Sequence, residues 1–202
     1  MKKVALIVGH NLRSKGAYSS IIGSEFDYWR RIAKEIKNII PSVVDVYERS
    51  PDIYYTREMF KVLEKLNQFQ YNFCLELHFN SSTNPQACGC ECYLYHTNDK
   101  AKMLATNFMV RLQNVFGTQI RNNHGINLVA NSHTRGGYGI CKSKWTYILI
   151  EPFFGSNPGE AKKFSDENIS LISKLFNQKI IFILNNENKI ALAIYQDKLF
   201  KT

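Results

Sequence analysis

The sequence predicts an α/β fold: a twisted, mostly parallel sheet of about six strands with helices on both faces, in a single domain. Short apolar runs of strand length alternate with longer segments of helical periodicity, the pattern of strand–helix crossovers. Runs such as Phe73–Leu77 are too apolar for a half-exposed strand and suit a sheet covered on both faces. No Pro/Gly/Ser linker, internal repeat or low-complexity stretch divides the 202 residues.

Residues 4–8 are an apolar run ending in Gly9-His10 and read as a buried first strand. After a polar loop, Ser24-Glu-Phe-Asp27 is a helix start, a serine cap with an acid three residues on. Phe26, Trp29, Ala33, Ile36 and Ile40 then recur at helical spacing until Pro41. Residues 43–47 are a second strand. Residues 55–69 set Met59, Phe60, Leu63 and Leu66 among charges, a second helix. Phe73–Leu77 is a third strand, closed by His78. Residues 87–95 alternate as a fourth strand, and 99–115 form a long amphipathic helix through Met103, Leu104, Phe108 and Leu112. A short strand is expected over 127–130 and another over 146–150, ending in Glu151. Residues 161–184 read as largely helical and 190–195 as a last strand or helix. The domain is therefore expected over 1–184, with 185–202 an extension that either packs as a last element or forms a separate tail.

Apolar residues make up 45% and charged residues 21%, which excludes a disordered chain. No apolar run approaches the roughly 18 residues that span a bilayer, so no membrane insertion is expected. The opening Met-Lys-Lys carries two lysines but too short an apolar stretch for a signal peptide. Synthesis in the cytoplasm is the expectation, with release by other means if the protein acts elsewhere. The net charge of +9 is uneven: residues 1–40 carry eight basic and three acidic side chains, residues 161–202 seven and four. Basic ends favour an anionic partner. Without an Arg/Lys-rich block, an RNA-binding aromatic signature or zinc-finger spacing, that partner is not expected to be nucleic acid.

Five cysteines cannot all pair, and reduced thiols fit best. The run Cys88-Gly-Cys-Glu-Cys92 invites a metal-cluster reading, yet alternation along the fourth strand sets all three sulfurs on one face as small apolar packers. Zinc knuckles use wider gaps and a second pair elsewhere.

Three apolar strands end alike, in His10, His78 and Glu151. In open parallel sheets, ligands gather beyond the carboxyl ends of the strands, so two imidazoles and a carboxylate are expected to converge on one patch. Glu25 joins them from the first turn of a helix, where the dipole favours the ionised form that binds metal. Two histidines and one glutamate suit a catalytic zinc ion, which keeps a fourth position for water and lowers its pKa towards roughly 7. A second carboxylate can take the water's proton and pass it to the leaving amine. Glu151 is assigned that role and Glu25 the role of ligand, although spacing alone leaves the reverse open. Taken singly, each of these residues has an ordinary structural reading; their joint placement at one sheet edge carries the functional one.

These residues bring the chain to a known family. It resembles the zinc-dependent N-acetylmuramoyl-L-alanine amidases of the amidase-3 group at Val8-Gly-His10, Gly23-Ser-Glu25, Leu75-Glu-Leu-His-Phe-Asn80 and Ile148-Leu-Ile-Glu-Pro-Phe-Phe-Gly-Ser-Asn157, over about residues 1–175. The resemblance implies zinc held by His10, Glu25 and His78, with the catalytic glutamate in a Leu-x-Glu-x-x-Phe-x-x-Asn pattern filled by Leu149, Glu151, Phe154 and Asn157. It also implies hydrolysis of the amide between the lactyl group of N-acetylmuramic acid and L-alanine of the stem peptide, with bacterial peptidoglycan as partner. Two departures stand out. The stretch around His10 is Ile7-Val-Gly-His-Asn-Leu12, where the family often has Asp-Pro before Gly-His and Gly-Gly after it. Glu76 stands where housekeeping members usually have serine, and the Glu-x-His-x-Asn form is more like phage lysins. Glu76 shares a strand face with His78, so it is either a partner behind the metal ligand or a satisfied buried acid.

His96, His124 and His133 lie in polar, loop-like surroundings and read as solvated. Arg135 is a candidate for a stem-peptide carboxylate in a charge-assisted pair, and Asn80 for orienting substrate or the metal shell. The expectation is a monomeric zinc amidase of the phage endolysin type that accumulates in the host cytoplasm and acts on the wall after release. Two alternatives remain open at this stage: a zinc peptidase cutting inside the stem peptide, and a non-catalytic wall-binding module.

Overall fold

The computed structural model describes residues 3–186. Its strands are β1 (Val4–Asn11), β2 (Tyr18–Ser19), β3 (Gly23–Ser24), β4 (Val44–Arg49), β5 (Phe73–Leu77), β6 (Glu91–Tyr95), β7 (Ile126–Val129) and β8 (Tyr147–Glu151). Its helices are α1 (Glu25–Ile39), α2 (Tyr55–Leu66), α3 (Asp99–Phe116), α4 (Gly137–Lys142), α5 (Pro158–Lys163) and α6 (Ile169–Asn185). Six strands form one sheet in the order β4–β1–β5–β8–β6–β7, and β2–β3 is a separate two-stranded ribbon. All neighbours in the large sheet run parallel except β6, which is antiparallel to β8.

Alternation along the strands divides the core in two. Val4, Leu6 and Val8 of β1, Phe73, Leu75 and Leu77 of β5, and Ile148 and Ile150 of β8 pack with α1, α3 and α6. Ala5, Ile7, Cys74, Tyr147 and Leu149 face the other way, onto Met59, Val62 and Leu63 of α2 and Ile140 of α4. This is why β1, β5 and β8 read as continuous apolar runs: both faces are covered. Each large side chain so buried contributes about 1.5–3 kcal/mol. Ser24 caps α1 by accepting a hydrogen bond from the Asp27 amide, as its position before Glu25 predicts.

Several elements depart from the sequence reading. The fourth strand begins at Glu91 rather than residue 87, so only Cys90 and Cys92 are buried in the core, and Cys88 is half-exposed. The helical stretch 161–184 is two helices. Asn157 caps α5 with Pro158 in its first turn, and the polar segment Ser165–Asn168 separates it from α6. Gly137–Lys142 is a helix too short to show periodicity. The strand or helix expected over 190–195 lies outside the described residues. Among the described residues, no helix is long and apolar enough to cross a membrane.

Candidate metal centre and active site

His10, His78 and Glu151 end β1, β5 and β8, which are adjacent in the sheet, so parallel pairing alone brings them together. His78 and Glu151 follow the strict alternation of their strands; His10 does not. Val8 pairs with Glu48 and the next pair is Asn11 with Arg49, so Gly9 and His10 are extra residues on β1, and His10 adopts a left-handed φ of 64°. A bulge of this kind re-aims a side chain at a strand end. Buried polar groups hold it. The Arg49 Nε–H donates to the His10 carbonyl (3.0 Å), and Asn11 Nδ2 donates to both carboxylate oxygens of Glu58 (2.8 Å).

Glu25 enters from the first position of α1. Its Oε2 lies 3.1 Å from His10 Nε2 and its Oε1 2.8 Å from His78 Nδ1. The amides of Ala17 and Phe79 donate one bond to each oxygen (3.0 Å both). Burial pushes the Glu25 carboxyl up, but the bonds from His10 and His78 outweigh it and hold it far below the usual carboxylate range. On the far side of His78, Nε2 lies 3.1 Å from Oε1 of fully buried Glu76, whose Oε2 accepts from the Tyr147 hydroxyl (2.9 Å). Burial lowers His78, yet its two carboxylate partners reverse that and raise it to about 10.

One ligand atom from each of His10, Glu25 and His78 lies within 4.8 Å of the others, and among the described residues no other group of three or more His, Cys, Asp or Glu side chains meets this test. Two imidazoles and an ionised carboxylate fit a zinc ion. The surroundings are shaped for it. A Cβ on Gly16, whose φ is +77°, would stand 2.5 Å from His10 Cδ2 and 2.6 Å from Glu25 Oε2, so any side chain there would fill the cradle. Gly16 carries no motif and was invisible in the sequence; the same is true of Arg49, Glu58 and Tyr147.

A cavity of about 480 Å³ opens at this edge, lined by His10, His78 and Glu151 and reaching Arg13, Arg49 and Arg135. Glu151 has no solvent exposure. Burial raises its carboxyl to about 7, with Arg135 opposing the shift. Arg135 Nη2 lies 2.6 Å from Glu151 Oε1, while the Arg135 side chain as a whole stays 60% exposed. Asn80 does not line the cavity. It is buried, its amide donates to Glu91, and its carbonyl accepts from Gly155 (2.8 Å), so it ties the end of β5 to the turn after β8. Phe154 pairs with Asn80 and Asn157 caps α5, which gives both motif residues structural work. His96, His124 and His133 are exposed and do not line the cavity.

The family model described as N-acetylmuramoyl-L-alanine amidase matches residues 4–178, a span that includes His10, Glu25, His78 and Glu151. Among solved structures, the chain is similar to the catalytic domain of CwlV, an N-acetylmuramoyl-L-alanine amidase from Bacillus (Paenibacillus) polymyxa var. colistinus, with TM-score 0.70, 22% identity, and coverage of 92% of this chain and 99% of that one. It is similar to an N-acetylmuramoyl-L-alanine amidase from Clostridium difficile 630 (TM-score 0.71, 20% identity, 91% and 97% covered). It is also similar to the catalytic domain of CD27L, an endolysin targeting Clostridia difficile (TM-score 0.69, 24% identity, 90% and 97% covered). At these identities the likeness is one of fold. No curated protein matches the chain.

Proposed function

The chain belongs to the N-acetylmuramoyl-L-alanine amidase family, and on that premise we propose that it is a zinc-dependent peptidoglycan amidase of the endolysin type, with His10, Glu25 and His78 as metal ligands and Glu151 as general base. The observation that carries the reading is a cluster of three metal-donor side chains, two of which, His10 and His78, line the same cavity as Glu151 with its buried, unpaired carboxylate oxygen. A zinc ion there would supply a Lewis acid that makes water nucleophilic near neutral pH and polarises the scissile carbonyl. Glu151 takes the proton of the attacking water and returns it to the departing L-alanine nitrogen, leaving a muramic acid carboxylate and a free amino terminus.

The exposed donors of Arg135 are available to a stem-peptide carboxylate. Asn80, its amide engaged by Glu91, is assigned a supporting part rather than direct contact with substrate. The endolysin reading draws on the Glu76-x-His78-x-Asn80 form of the motif and on the likeness to the CD27L endolysin. The net charge of +9 would favour attraction to anionic wall polymers.

The test is purified protein on isolated cell walls, with and without chelator. New L-alanine amino termini, with glycan strands freed of peptide, are expected only in the zinc-loaded sample. Shortened peptides still attached to sugar would indicate a peptidase, and undiminished release from zinc-free protein would overturn the metal mechanism.

A further inference from the structure

Glu151 lines the cavity with a side chain that has no solvent exposure, so a base at this position depends on which way its carboxylate is turned. Its Oε2 has no hydrogen-bond partner, and its Oε1 is bound by Arg135 at 2.6 Å. We propose that Arg135 is a positioning residue of the reaction: its guanidinium clamps Oε1 so that Oε2 faces the cavity as the base. The inference rests on the amidase reading of this site and adds to it a residue that acts through Glu151.

The loop carrying Arg135 is built to hold it there. Asn131 Oδ1 accepts from the His133 amide (3.0 Å), the Thr134 hydroxyl donates to the Asn131 carbonyl (2.9 Å), and the Gly137 amide donates to the Thr134 carbonyl (2.8 Å). Gly136 follows with a left-handed φ of 67°, and a Cβ on it would stand 2.6 Å from Leu149 Cδ1. The loop therefore sits against the Leu149 side chain, two residues before Glu151 on β8, in a backbone conformation that favours glycine. The guanidinium carbon also lies 5.9 Å from the Tyr93 ring centroid.

Charge explains why a clamp is needed. Glu91 is directly opposite Glu151 in the β6–β8 pairing, and the charges of Glu91 and Glu25 both oppose its ionisation. The Glu91 carboxylate is engaged elsewhere, by Arg121 Nε (3.1 Å), Asn127 Nδ2 (3.2 Å) and Asn80. Among the described residues, Arg135 is the cation paired with Glu151. A charge-assisted bond to one oxygen fixes the rotamer of a carboxylate otherwise free to turn, and it opposes the rise that burial imposes on its carboxyl.

The experiment compares wild type, Arg135→Gln and Arg135→Lys on a soluble muramoyl-L-alanyl peptide, measuring kcat, KM, zinc content and melting temperature. In Arg135→Gln, kcat is expected to fall roughly 10²-fold, the scale on which small misplacements of a reacting group act, with zinc stoichiometry and melting temperature held. Arg135→Lys, which keeps a cation, is expected to recover part of kcat. An effect confined to KM would leave Arg135 a substrate contact alone and overturn the positioning role; so would a lysine variant no better than glutamine. Wild-type protein that releases no L-alanine amino termini, or Glu151→Gln protein with undiminished kcat, would instead remove the amidase reading on which the inference rests.

Discussion

Glu76 Oε1 lies 3.1 Å from Nε2 of His78, while Nδ1 of the same ring lies 2.8 Å from Glu25, so one imidazole is held between two buried carboxylates. When a metal takes Nδ1, the proton must sit on Nε2 and point at Glu76, which fixes tautomer and ring orientation together. The Tyr147 hydroxyl holds the other oxygen of Glu76 in place.

Replacing Glu76 with Gln keeps the shape but removes the charge behind His78. Zinc affinity should weaken by about 10–100-fold, the usual effect of losing such a partner. Competition against a chromophoric chelator measures it directly. Tyr147→Phe should weaken zinc less, because Glu76 remains. Unaltered affinity in Glu76→Gln would reduce Glu76 to a satisfied buried acid.

Glu151→Gln should separate function from stability. Activity is expected to fall about 10²–10⁴-fold, the range for losing a general base, with zinc still bound. Stability should rise, and the sign follows from the raised pKa of about 7 against an ordinary 4.5. The folded state holds the Glu151 proton more tightly than the unfolded chain, so ionisation penalises folding. The penalty is absent below pH 4.5, develops between 4.5 and about 7, and is complete above that. In chelator-treated protein the variant should therefore match wild type near pH 4 and exceed it by on the order of 3 kcal/mol at pH 8. Urea titrations at the two pH values decide it; an equal gain at both would mean that ionisation of Glu151 is not the cause.

What the sequence disclosed about this site is tied to strand ends. His10, His78 and Glu151 could be brought together on paper because β1, β5 and β8 are apolar, parallel and adjacent, so their carboxyl ends must share an edge. Glu25 was legible through the Ser24 cap. The bulge that re-aims His10 was not, because it rests on buried partners from β4 and α2, 39 and 47 positions away in the chain. The antiparallel β6 was equally hidden, since strand direction leaves no mark on period-two alternation. Asn80 looked like a substrate contact because it sits two residues after His78; its engagement with Glu91 is a matter of tertiary packing.

Gly16 offers a test of the cradle that leaves every ligand in place. Gly16→Ala puts a methyl group 2.6 Å from both His10 Nε2 and Glu25 Oε2, and it does so at φ +77°. The backbone cost is about 1–3 kcal/mol, which a domain of this size survives. Metal binding should suffer far more, because the methyl occupies the space between two ligands. Zinc content after dialysis is expected to be substoichiometric while the circular dichroism spectrum stays native. Full zinc occupancy in the alanine variant would show that the metal lies elsewhere.

Removing the metal should loosen the fold as well as stop the reaction. A metal held by His10, Glu25 and His78 would join the end of β1, the start of α1 and the end of β5, segments up to 68 positions apart in the chain. A ligand bound only by the folded state adds stability as RT ln(1 + L/Kd), with L the free ligand concentration, so the gain grows with the logarithm of free ligand relative to Kd. At free zinc a thousandfold above Kd this is about 4 kcal/mol, and for a domain of this size each kcal/mol shifts Tm by roughly 2–4 °C. Chelation should therefore lower Tm by about 8–16 °C, and added zinc should restore it. His78→Ala should melt at one temperature whether or not zinc is present, because a ligand is gone. Glu151→Gln should show the full zinc-dependent shift, because the proposed role of Glu151 is base and not ligand. If the two variants exchanged these behaviours, the assignment of ligand and base would have to be reversed.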